Sequence, residues 1–154
     1  MRELSDEALR DAVGRWVAAR EGERAASEAL SVHEHAVLRK EEKAGDAFKA
    51  ARVAYAKAKR RLASARRALD VAHRFGPRPS VMRSLVGLYL GTRERSQIAD
   101  THDLDGQGIG PSGKRPTADA ERTYRHEVVR RAFGEESLAE AALVAAWKAG
   151  ERST

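Results

Sequence analysis

Apolar positions in the first half of the chain recur in steps of three and four. Leu9, Ala12, Trp16, Ala19, Ala26, Leu30, Val37, Ala44 and Ala47 form one run, interrupted at Glu23, His33 and Lys40. Tyr55, Ala58, Leu62, Ala65, Leu69 and Ala72 form a second, cleaner run. This rhythm predicts the seam of a coiled coil. No proline falls between Ser5 and His73, and alanine, arginine and glutamate, all good helix formers, dominate the segment. Ser5 is the expected N-cap, with Asp6 and Glu7 in the first turn, where the helix dipole favours negative charge. The stop is expected at His73–Phe75, before Gly76 and the prolines at 77 and 79.

The two apolar runs are out of phase by four residues, and the slip falls near Gly45-Asp46. Two arrangements account for it. Residues 1–75 can form one continuous arm, roughly 100 Å long, with a local stutter. Alternatively the chain turns at Gly45, Asp46 caps a second helix, and two helices pack antiparallel. The turn sets an acidic helix beside a basic one. A one- or two-residue turn is tight for such a hairpin, however, and its arms would be unequal, so the balance leans slightly to the continuous helix.

Beyond the prolines, Ser80 is expected to cap a short helix from Val81 to Leu90 that ends at Gly91, in a segment spanning 76–98. It is apolar nearly all round and should be buried. Residues 99–116 read as a flexible Gly-rich linker. The last part, 117–150, reads as a helical pair: Thr117 caps a helix to Phe133, Gly134 interrupts it, and Ser137 to Lys148 forms a second helix. The expected apolar face of that last helix is Leu138, Ala141, Ala142, Ala145 and Trp147. The predicted fold class is therefore all-α, a long coiled-coil helix or helical hairpin followed by a small cluster of short helices.

Composition narrows the function classes. Of 154 residues 29 are alanine, and aromatics are only 5%, so much of the hydrophobic content is small side chains on helices. That argues against a large catalytic domain with a deep pocket. Cysteine is absent, which removes disulfides, thiol nucleophiles and cysteine zinc sites. The polar N-terminus and the lack of a long apolar run point to a cytoplasmic protein that enters no membrane.

Charge is concentrated. Residues 1–46 carry 8 basic and 11 acidic side chains, residues 47–93 carry 12 and one (Asp70), and residues 94–154 carry 9 and 11. The nets of −3, +11 and −2 sum to the +6 of the whole chain. Arginine outnumbers lysine 22 to 7, a bias that GC-rich coding can also produce.

The motifs with chemical potential lack their context. Gly108-Ile109-Gly110-Pro111-Ser112-Gly113-Lys114 matches a phosphate loop literally. Arg115 nevertheless stands where a magnesium-binding Ser or Thr belongs, and no strand precedes the loop. Asp100, His102, Asp103 and Asp105 lack the closing glutamate of a calcium loop. His33 and His35 face different sides of a helix, and His126-Glu127 lacks the second histidine of a zinc-protease helix. No catalytic residue, metal or cofactor is assigned, and the expectation is a non-enzyme. Residues 87–99 have a helix-turn-helix rhythm that would put Arg93, Arg95, Ser96 and Gln97 on a recognition helix. Its aliphatic position falls one residue late, so an ordinary Gly-terminated helix is preferred.

The partner signal is a basic stripe. Arg52, Lys59, Arg60, Arg66, Arg67 and Arg74 recur every seven or eight residues, opposite the seam, over about 33 Å of helix. A solvated coiled-coil flank normally mixes both signs, and here acid is nearly missing. The leading expectation is a nucleic-acid-associated helical adaptor that holds the DNA or RNA backbone without sequence preference. The same stripe would also fit an acidic protein surface. The alternative is a coiled-coil scaffold that self-associates into a homo-oligomer, with Leu62, Leu69, Leu85 and Leu88 at the interface.

Overall fold

The computed structural model describes residues 6–40, 45–75, 80–107 and 119–152, with side chains described from 7 to 100 within those ranges and again from 126 to 150. Four helices account for nearly all of them: α1 (Asp6–Leu38), α2 (Asp46–Phe75), α3 (Val81–Gln107) and α4 (Asp119–Arg152). There is no strand among the described residues, so the fold is all-α. The chain divides into two compact units, residues 1–77 and 78–154.

In the first unit α1 packs against α2. The continuous arm is not what forms. α1 stops at Leu38, where the Arg39 amide bonds the His35 carbonyl and the Lys40 amide bonds that of Val37. Lys40 takes a left-handed φ of 60°, a helix-ending conformation usually left to glycine. α2 opens when the Lys49 amide reaches the Gly45 carbonyl, at 3.1 Å, so Gly45 sits at the cap and Asp46 in the first turn. Seven residues separate the two helices, rather than the one or two of a turn at Gly45 alone.

The two helices run antiparallel, because a groove of about 520 Å³ is walled by Ala8 and Ala12 near the start of α1 and by Ala68 and Ala72 near the end of α2. The seam residues Leu9, Ala12, Trp16, Leu62, Leu69 and Ala72 are buried, joined by Val13 and Val17. Ala19, Ala26, Leu30, Val37, Tyr55, Ala58 and Ala65 are half-buried, whereas Ala47 is exposed. Val13 and Val17 widen the α1 stripe beside Ala12 and Trp16, at the positions that distinguish a core-facing helix from a narrow coiled-coil seam.

In the second unit α3 packs against α4. The Ser80 cap forms as expected: the Arg83 amide donates to Ser80 Oγ at 3.1 Å, and the Ser84 amide to its carbonyl at 3.1 Å. Three expectations fail here. α3 does not stop at Gly91 but runs on to Gln107, through the first part of the expected linker. α4 passes through Gly134 as one helix, not a pair. The buried face of α4 is Glu136, Ala139 and Leu143, while Leu138 is exposed, which rotates the helix by one position. Burial of Val86, Tyr89, Thr92 and Ser96 against that face outweighs the roughly 1 kcal/mol that an interior glycine costs.

Candidate nucleic-acid interface

Nine lysines and arginines fall between Asp46 and Phe75, against two aspartates, Asp46 and Asp70. All six predicted stripe residues lie on α2. Arg52, Lys59, Arg60, Arg67 and Arg74 are exposed, and Arg66 is half-buried. Arg74 pairs with Asp70 one turn back, Nη2 to Oδ2 at 2.9 Å, and both side chains stay well solvated; such a pair is weak. Arg52 lies over the Phe48 ring at 5.9 Å and Lys59 over the Tyr55 ring at 5.5 Å. These contacts hold the charged ends over the rings and leave the charge unneutralised. Arg60 and Arg67, and the neighbouring Lys57 and Arg61, have no acidic partner among the described residues.

The stripe is not one line opposite the seam. At 100° per residue, Arg52, Lys59 and Arg66 fall along one edge of α2 and Arg60, Arg67 and Arg74 along another, about 80° away. Ala56, Ala63 and Asp70 lie between them. Three consecutive heptads therefore repeat a cation, a small or acidic residue and a second cation at i, i+4 and i+8: Arg52-Ala56-Arg60, Lys59-Ala63-Arg67 and Arg66-Asp70-Arg74.

The expected oligomer contacts separate into two groups. Leu62 and Leu69 are buried inside the α1·α2 unit of a single chain, so neither is exposed to a second copy. Leu85 is half-buried, and Leu88 is 52% exposed.

The helix-turn-helix reading of 87–99 is overturned. There is no turn, because α3 is continuous through Gly91. Two of the proposed reading residues face inward instead. Arg93 Nη1 lies 3.2 Å from Oε1 of Glu136, and Ser96 Oγ donates to the other carboxylate oxygen of Glu136. Glu136 is 8% exposed and Ser96 fully buried. No hydropathy scan places a glutamate on the inner face. The signal available was that Glu136, Ala139 and Leu143 share a 3–4 spacing, with Arg93 and Ser96 offering donors at the same spacing on α3.

The other motifs give no site. Residues 108–118, with the phosphate-loop match and Thr117, lie outside the described residues, as does Ser5; His102, Asp103 and Asp105 are described only as helical backbone. No cluster of three histidine, aspartate or glutamate side chains suited to a metal occurs among the described residues. No described helix is long and apolar enough to cross a membrane. Neither family models nor curated proteins nor solved structures give a match to this chain.

Proposed function

We propose that the protein is a non-enzymatic, nucleic-acid-associated helical adaptor, acting in the cytoplasm, that grips phosphate backbone through α2. In this reading α1 and α2 form a helical hairpin in which α1 backs the basic helix. The observation that carries it is the set of exposed cations on α2, with Arg60 and Arg67 lacking any acidic partner among the described residues. The cations of such a surface would displace counterions condensed on the nucleic acid, which gives sequence-independent, salt-sensitive binding.

The test is binding to a labelled 20-base-pair duplex between 50 and 200 mM salt. Replacing Arg52, Arg60 and Arg67 together with alanine should weaken binding and flatten the plot of log affinity against log salt by about 2.7, at roughly 0.9 per phosphate contact. Helicity should be unchanged. Tight binding indifferent to salt would overturn the reading.

One observation favours a second reading, self-association. Leu88, Leu138 and Val81 are 52%, 74% and 78% exposed on the α3·α4 unit. Leu62 and Leu69 cannot test it, since a charge at either would unfold the α1·α2 unit. Leu88→Asp should convert an oligomer to monomer in light scattering, and a monomeric unmodified protein would remove this reading.

A further inference from the structure

The cations of α2 stand in two rows, and a polyanion with one phosphate row has no use for the second. Lys59 and Arg60 sit at nearly the same height on the helix and about 100° apart, hence roughly 8 Å apart at the helix surface. Arg66 and Arg67 repeat the pair about 10.5 Å further on. Arg52 and Arg74 extend one row at each end. Between the rows lie Ala56 and Ala63, both exposed, whose methyl groups let the helix approach closely, and, in the last heptad, Asp70, which pairs with Arg74.

The major groove of B-form DNA admits an α-helix and is bordered by two phosphate backbones about 12 Å apart. Long arginine and lysine side chains splayed from the two rows span that difference. A single strand is instead held by stacking its bases on open aromatic faces beside a basic track. The two rings on the first half of α2 are half-buried, and each carries a cation over one face, Arg52 over Phe48 and Lys59 over Tyr55.

We propose that α2 straddles the major groove of double-stranded DNA, with its Arg52/Lys59/Arg66 row on one backbone, its Arg60/Arg67/Arg74 row on the other, and its Ala56–Ala63 strip towards the groove floor. This rests on the phosphate-binding reading and specifies its partner. Double-stranded RNA is a poor fit, because its A-form major groove is too narrow and deep to admit the helix.

The experiment compares fluorescence anisotropy of a 20-base-pair DNA duplex, one of its strands alone and a double-stranded RNA of the same length, all at 100 mM salt. The DNA duplex should bind at least about tenfold tighter than either competitor. Two row variants follow, Arg52→Ala with Lys59→Ala and Arg60→Ala with Arg67→Ala. Each should reduce the salt slope on duplex DNA by about 1.8, two phosphate contacts' worth. Phe48→Leu and Tyr55→Leu should each change single-strand binding less than about twofold, since neither ring serves as a stacking platform. Circular dichroism confirms that every variant keeps its helices. Single strand or RNA bound as tightly as the DNA duplex, or one row removable without loss, would overturn the straddling geometry and leave backbone binding intact. Loss of single-strand binding on removing a ring would also overturn it. No binding to any of the three would defeat the phosphate reading itself.

Discussion

A carboxylate held between two helices must find donors or destabilise the fold by several kcal/mol. Glu136 finds two: the Arg93 guanidinium on one oxygen and the Ser96 hydroxyl on the other. Ser96 Oγ also lies 2.8 Å from the Arg93 carbonyl, and Thr92 Oγ1 donates to the Tyr89 carbonyl at 2.9 Å, so the polar side chains facing α4 are satisfied. Glu136→Ala should destabilise the protein by about 2–3 kcal/mol, because the partly buried guanidinium loses its counter-charge and the hydroxyl its acceptor. The double variant Arg93→Met with Glu136→Leu should cost less than the single one, since nothing charged is then stranded. Urea denaturation of the three proteins checks the order, and a double variant less stable than Glu136→Ala would show that the network does more than compensate its own burial. At Leu69, fully buried in the other unit, truncation to alanine should cost about 3 kcal/mol, transfer and cavity terms together.

At the scale of the helix, two glycines distinguish local propensity from packing. Gly91 and Gly134 both lie inside helices, and a β-carbon at either would meet nothing within 4 Å. Gly91→Ala and Gly134→Ala should therefore each raise stability by about 0.5–1 kcal/mol, read as an upward shift of the melting temperature. Were Gly91 a left-handed helix stop, the same substitution would be destabilising instead. What the sequence made legible follows from the same contrast. The seam of α1 and α2 was readable because it is a repeated apolar pattern, and so were the Ser80 cap and the stop at Phe75, which rest on local chemistry. The paths of α3 and α4 were not. Their inner faces mix Tyr89, Thr92, Ser96 and Glu136, so the period is carried by hydrogen bonds that hydropathy cannot see, and a glycine within it resembles a break. The basic stripe was legible as composition, and its two rows follow from 100° per residue along one helix; what the sequence does not give is that Arg66 is half-buried while the other five cations are exposed.

At the scale of the molecule, salt should act in opposite directions on folding and on binding. α2 carries nine cations against two aspartates, and α1, with seven acids against four arginines, offsets only part of that excess, so net like-charge repulsion works against the folded state and is screened as ionic strength rises. Raising salt from about 20 to 200 mM should therefore increase the melting temperature of the protein alone. Duplex DNA supplies the missing negative charge by another route. At a free concentration about 100 times its dissociation constant it should add about 2.7 kcal/mol to stability, by linkage alone. The same salt increase weakens that complex, because counterions are no longer released into dilute solution. Melting curves with and without DNA should thus converge as salt rises, the protein-only curve moving up and the complex moving down. If both rise in parallel, DNA is not neutralising the cations whose repulsion the salt relieves, and the basic face of α2 is not where it binds.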